Sequence, residues 1–211
     1  SAYAAYLIIE EPGVDNFAVS DVWSGAYVGA HVGWGWGNVD VTEANGDLDD
    51  IGSYSLTGWL AGVQAGANVQ MDNIVFGVEG DIAWTDITGD SDDADEDVLG
   101  TDIKWLGTVR GRLGFAADTF LLYGTAGVAF AGVDSWMIDT WDPETFTISD
   151  TRFGWVVGVG AEAMVAENVS LKAEVLYHDF GAEDFSFDDG DETATQSLSV
   201  TTFKVGVNFH F

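Results

Sequence analysis

Thr201 to Phe211 reads T-T-F-K-V-G-V-N-F-H-F. Phe203, Val205, Val207, Phe209 and Phe211 alternate there with Thr202, Lys204, Gly206, Asn208 and His210. A period of two makes this a strand with one apolar and one polar face. Seven upstream segments repeat the pattern. Val28, Val32 and Trp34 oppose Tyr27 and His31, and Val63, Ala65 and Val69 oppose Gln64, Asn68 and Gln70. Phe76, Val78 and Ile82 oppose Glu79 and Asp81, and Val109, Leu113 and Phe115 oppose Thr108, Arg110 and Arg112. Leu122, Ala126 and Val128 oppose Tyr123 and Thr125; Val157, Val159 and Ala161 oppose Gly158 and Glu162. Leu171, Ala173 and Val175 oppose Ser170, Lys172 and Glu174. No apolar phase carries a charge, and each segment has about the 9–11 residues of a tilted membrane strand. The apolar phases are therefore expected to face lipid and the polar phases a lumen.

The connections alternate in length. Those near 71–73, 117–119 and 167–168 are minimal, and those over 37–56, 85–103, 133–151 and 179–198 are long. Short turns at one end and long loops at the other characterise outer-membrane barrels. The pattern predicts an all-β, eight-stranded, antiparallel up-and-down transmembrane barrel over 23–211. A tail, 1–22, precedes it, and both termini are expected in the periplasm. Trp34, Trp36, Trp59, Trp84, Trp105 and Trp155 gather at the long-loop ends, as an aromatic girdle at a membrane interface would. Phe115, Phe120, Phe209 and Phe211 mark the opposite interface. A soluble lipocalin-like barrel is the alternative fold. It would turn the apolar phase inward and leave the tryptophan clustering without a cause.

Charge sharpens this picture. Six Lys and Arg stand against 36 Asp and Glu, a formal net charge of −30. That excludes ordinary nucleic-acid binding, which needs a basic surface. With 47% hydrophobic and 13% aromatic residues, the chain is not an acidic disordered one either. Twenty-five of the acidic residues fall in the four long connections. The six basic ones, Lys104, Arg110, Arg112, Arg152, Lys172 and Lys204, fall on polar phases or at strand ends. There is no cysteine, hence no disulfide or thiolate site. No apolar run reaches the ~18 residues of a membrane helix. No basic region precedes an apolar one, so a mature chain is expected.

Three constellations carry candidate chemistry. Glu79, Asp81, Arg110, Arg112, Glu162, Lys172, Glu174 and Lys204 share the inward phase. Buried charges must be paired, so these predict a salt-bridge network filling a narrow lumen, centred between the segments of Glu79 and Arg110. An ion path through them is the functional alternative. His178, beside Asp179 at a strand end, is the one candidate for a lipid-modifying centre, but no serine at suitable spacing accompanies it. His31 and His210 read as inward polar filler, and three scattered histidines make no zinc site. The run Asp90, Asp92, Asp93, Asp95, Glu96 and Asp97 reads as a solvated acidic face, with weak Ca²⁺ or Mg²⁺ binding as its alternative. It lacks the EF-hand spacing. Matches such as Gly33-Trp34-Gly35 are strand glycines with no following helix.

The segments W-S-G-A-Y-V-G-A-H-V-G-W-G-W-G from Trp23, G-V-E-G-D-I-A-W from Gly77 and T-V-R-G-R-L-G-F from Thr108 carry a resemblance. F-L-L-Y-G-T-A-G-V-A-F from Phe120, L-K-A-E-V-L-Y from Leu171 and the closing strand extend it across 23–211. Together they resemble the OmpA-like eight-stranded barrels of the opacity-protein and alphaproteobacterial surface-antigen type. The resemblance implies outer-membrane insertion, a side-chain-filled lumen and no catalysis. It also implies an assembly signal in the last strand, at Phe209 and Phe211. The expected function is structural presentation of acidic loops; a small-solute channel and a loop-borne recognition protein are the alternatives. The expected partners are outer-membrane lipid, lipopolysaccharide and the barrel-assembly machinery. No cofactor is expected beyond weakly held Ca²⁺ or Mg²⁺, and no oligomeric state is read.

Overall fold

A computed structural model describes residues 21–43, 50–90, 98–138, 145–187 and 192–211. Eight strands follow one another: β1 Gly25–Glu43, β2 Asp50–Met71, β3 Ile74–Asp90, β4 Val98–Ala117, β5 Phe120–Ile138, β6 Thr145–Ala166, β7 Val169–Phe187 and β8 Glu192–His210. Each pairs antiparallel with the next, and β1 pairs with β8 to close a barrel. The alternation of the sequence becomes the two faces of the wall. Val78 (62% accessible), Val109, Leu113, Val159 and Leu171 are exposed outside, while Glu79, Arg110, Arg112, Glu162 and Lys172 are buried inside.

At one end the strands join through two-residue turns, with Met71 opposite Ile74 and Ala117 opposite Phe120. Asp72 and Asp118 take φ of 54° and 52° there, a left-handed conformation that aspartate tolerates and tight hairpins use. Gly25, at φ 127°, starts β1. A Cβ on it would lie 2.7 Å from the Phe211 carbonyl oxygen, so the close approach of the first and last strands needs glycine.

At the other end the structure departs from the expected lengths. The strands run to 17–22 residues, about twice the membrane requirement. Much of 37–56, 85–103, 133–151 and 179–198 is therefore strand, and Asp40, Glu43, Asp102, Asp150 and Glu183 lie on ladders. Backbone pairing continues past the membrane band, where the outer face no longer needs to be apolar and the apolar positions pass to the inward phase, as at Leu56, Ile87, Ile103 and Leu198. The outer surface changes accordingly: beyond the tryptophans, Asn38, Ser55, Thr57, Asp86, Thr88 and Ser197 are exposed. The tryptophans sit mid-strand rather than at strand ends. Trp34 pairs with Trp59 and with Phe203, and Trp84 pairs with Trp105.

Lys104 is a second departure. Ladder register shifts between Ile103 and Trp105, and Lys104 projects outward, its side chain 53% accessible and 3.1 Å from Asp102. The other five basic residues are buried.

Two ladders stop early. Pairing of β6 with β7 ends at Trp155 opposite Asp179, and pairing of β2 with β3 ends at Thr57 opposite Thr88. The remaining ladders run on to the loop end, with Thr42 opposite Asp50, Ile138 opposite Thr145 and Phe187 opposite Glu192. Among the described residues the barrel thus divides beyond the girdle into two sheets, β7–β8–β1–β2 and β3–β4–β5–β6.

The lumen is layered. Near the turn end lie Trp23, Val75, Ala116, Leu121 and Tyr123, with Met164 against them. Toward the loop end lie Leu56, Ile87, Ile103, Leu106, Val133, Val156, Leu176, Phe180, Leu198 and Val200. The charged layer sits between these two apolar clusters.

Candidate functional site

Glu79 on β3 faces Arg110 on β4 directly in the ladder. Arg110 Nη2 lies 2.5 Å from Glu79 Oε1, 3.0 Å from Asp81 Oδ2 and 3.2 Å from Glu174 Oε1. Its Nε donates to Thr108 Oγ1 at 2.9 Å, and Thr108 Oγ1 donates in turn to Asp81. The planar guanidinium thus meets three carboxylates from two opposite walls, a geometry suited to arginine's fork of donors.

Arg112 is held differently. Its Nη2 lies 2.7 Å from Glu162 Oε2, and its Nη1 donates to the Tyr27 hydroxyl at 2.5 Å. The Tyr27 hydroxyl donates to Glu79 Oε2 at 2.7 Å. The guanidinium carbon stands 4.0 Å from the Tyr123 ring centroid, within cation–π range. Each tyrosine sits opposite a glycine in the ladder, Tyr27 facing Gly66 and Tyr123 facing Gly160. A Cβ on either glycine would come within 2.4 Å of its tyrosine ring. These two glycines make room for the rings to lie across the lumen.

Lysines complete the layer. Lys172 has Glu162 as its cross-strand neighbour, yet its Nζ reaches across to Glu79 Oε1 at 2.7 Å and lies 3.2 Å from Glu174 Oε1. Lys204 Nζ meets Asp81 Oδ1 at 2.7 Å. Glu162 Oε1 accepts from Ser170 at 2.5 Å and Asn208 at 2.6 Å, and His210 Nε2 stands 3.5 Å from it. Glu79, Asp81, Glu162 and Glu174 therefore balance Arg110, Arg112, Lys172 and Lys204, four charges against four, all buried. The pairing between β3 and β4, where Glu79 faces Arg110, is only part of this layer. β6, β7 and β8 contribute as well, because an eight-stranded lumen is narrow enough for side chains to cross it.

Sequence reasoning missed the neutral partners Tyr27, Thr108, Tyr123, Ser170 and Asn208, although the inward phase marks each. It also missed Trp23. This residue precedes β1 and is wholly buried at the turn-end mouth. Its backbone N–H donates to Gln70 Oε1 and its indole N–H to the Asp118 carbonyl, both at 3.2 Å, and its ring meets His210 edge-on at 6.0 Å. No alternation signals a residue outside a strand.

His178 is fully buried, its Nδ1 3.1 Å from the Val200 carbonyl oxygen and its ring stacked on Phe180. No lipid headgroup can reach it there. His31 Nδ1 pairs with Gln64 Oε1 at 2.5 Å, and Gln64 donates to Asn208 at 2.7 Å. The acidic run from Asp92 to Asp97 lies outside the described residues, and only the backbone of Asp90 is described. Of the other aromatics, Trp34, Trp36, Trp59, Trp84 and Trp155 are exposed and Trp105 is half-buried. Phe209 and Phe211 are exposed and contact each other edge-on at 5.4 Å.

The chain that forms this closed wall matches a family model described as the outer membrane protein beta-barrel domain over residues 14–211. The chain belongs to this family. This outer-membrane barrel is 34% identical to a 31 kDa outer-membrane immunogenic protein of Brucella melitensis, covering all of the chain and 94% of the relative. It is 34% identical to a 22 kDa outer membrane protein of Rhizobium leguminosarum bv. viciae, over 77% of the chain and 72% of the relative. Among solved structures, the outer membrane protease OmpT from Escherichia coli superposes with a TM-score of 0.51 at 10% identity, covering 92% of the chain and 99% of OmpT. That likeness is one of fold alone.

Proposed function

We propose that this protein is a structural, non-catalytic component of the outer membrane whose lumen passes no solute and whose acidic loop end is held outside the cell. The observation that carries this reading is the charge-balanced layer between two apolar clusters. Eight opposite charges neutralise one another through short contacts. A permeating ion would have to displace an internal partner and then cross an apolar layer, Trp23 at one end or Leu56, Ile87, Leu176 and Val200 at the other. Among the described residues the lining offers no exposed nucleophile or acid–base pair.

The orientation follows from the turn and loop ends: two-residue turns and both termini in the periplasm, the long acidic ladders outside. The relatives named immunogenic are consistent with such an exposed end. In this reading the partners are the surrounding lipid and lipopolysaccharide and the machinery that inserts barrels. Divalent cations would bind the outer carboxylates weakly and without selectivity. Protease added to intact cells should cut within 85–103 or 179–198, and Ca²⁺ should slow the cutting. Cleavage only after the outer membrane is permeabilised would overturn the orientation. Rates indifferent to Ca²⁺ would remove the cation binding.

A further inference from the structure

The apolar outer face is uneven in height. In one row across the ladders, Leu113, Gly124, Val159, Val175 and Phe203 stand side by side. In the next row toward the turns come Leu122, Ala161, Ala173 and Val205. The small residues, Gly124 on β5, Ala161 on β6 and Ala173 on β7, step from strand to strand and floor a hollow of about 910 Å³. Phe76, Leu113 and Phe115 stand higher on one side of this floor, and Val175 and Phe203 on the other. Ala161 and Ala173 are half-buried although they lie on the outward phase. A Cβ on Gly124 would meet nothing nearer than the Gly158 carbonyl oxygen at 4.0 Å, so the space above it is free. The volume falls within the range of ligand sites, about 300–1,000 Å³, and the side chains around it are apolar.

We propose that this hollow holds an acyl chain of a glycerophospholipid whose headgroup carries a primary amine. A chain lying in a recess touches wall on three sides, and these dispersion contacts exceed what a smooth wall gives. Charge selects the headgroup. The hollow reaches Ile74, the first residue of β3, and so extends to the turn end. Asp72, Asp118 and Glu167 are exposed on the turns there. All six basic residues lie elsewhere: five are buried, and Lys104 adjoins Trp105 of the tryptophan belt and pairs with Asp102. An ammonium group is attracted to this rim of carboxylates and an anionic headgroup is repelled. A second copy fits less well. Two-fold pairing would set hollow against hollow, leaving a void and bringing like charges together. The proposal rests on the reading of surrounding lipid as a partner, and on the proposed orientation only for which leaflet supplies the lipid. In detergent the leaflet does not enter, so a failure to bind there overturns the site and leaves the orientation standing.

The test is native mass spectrometry of the purified full chain in detergent, titrated with phosphatidylethanolamine and phosphatidylglycerol of identical acyl chains. The barrel should retain one phosphatidylethanolamine, favoured about two- to fivefold over phosphatidylglycerol, the factor that exposed ion pairs supply. Gly124→Leu fills the hollow from its floor and leaves the lumen untouched. It should lose the bound lipid while keeping the heat-dependent gel mobility of a folded barrel, and Ala173→Leu on β7 should do the same. Asp118→Asn with Glu167→Gln should still retain lipid but bring the ratio close to one. Asparagine accepts the left-handed conformation of Asp118, so the turn survives. Equal retention of the two lipids by the unaltered chain would overturn the headgroup assignment. Lipid retained undiminished by both leucine variants would place it elsewhere on the wall and overturn the site. Absence of bound lipid would overturn it too, as would a dimer that Gly124→Leu abolishes, which would assign the hollow to a second copy.

Discussion

Val109 and Arg110 are chain neighbours that the strand sends to opposite sides of the wall, one 57% accessible to the membrane side and one buried among carboxylates. Substitutions at them should destabilise by different routes. Arg110→Ala leaves Glu79, Asp81 and Glu174 short of a shared partner, which should cost about 3–5 kcal/mol. Val109→Arg puts a charge into lipid and should cost about 2–4 kcal/mol. Denaturant titration of the barrel in micelles or bilayers reads both. An unchanged Arg110→Ala midpoint would contradict the coupling of that layer. These residues were legible in the sequence because a period of two sorts charges onto one phase. Their partners were not: Lys172 passes over its ladder neighbour to meet Glu79, a choice set by lumen width and by the Tyr27 and Tyr123 rings.

At the scale of the strand, the membrane half was legible throughout and the outer half was not. In β1 the alternation changes phase beyond the tryptophans: Val28, Val32 and Trp34 are even-numbered, whereas Val39 and Val41 are odd and alternate with Asn38, Asp40 and Thr42, although the strand stays paired on both sides. The last strand carries its own expectation. Phe211 N–H donates to the Ala26 carbonyl at 2.9 Å, and its ring is 71% accessible and touches Phe209. It thus adds one backbone bond and little buried area to the folded barrel. Deleting Phe211 should reduce insertion in cells far more than refolding into detergent, as expected of a segment read during assembly. Equal losses in both assays would assign it to plain stability.

Over the whole molecule, one wall serves three environments. The outward apolar band meets lipid, and the ladders beyond it turn polar and acidic. The interior stacks an apolar cluster, a neutralised charge layer and a second apolar cluster. A barrel of this size cannot leave four carboxylates and four cations unpaired inside; in the function proposed above, packing them together removes the water path. The eight-stranded closure and the inward charges could be read from alternation and loop lengths. The burial of Trp23 ahead of β1 and the division of the outer wall into two sheets are not encoded by period and composition. Single-channel recording across a planar bilayer shows whether the lumen conducts. The purified protein should give no stepwise conductance in ~1 M KCl. Stable, uniform steps that scale with inserted protein would show an open lumen instead.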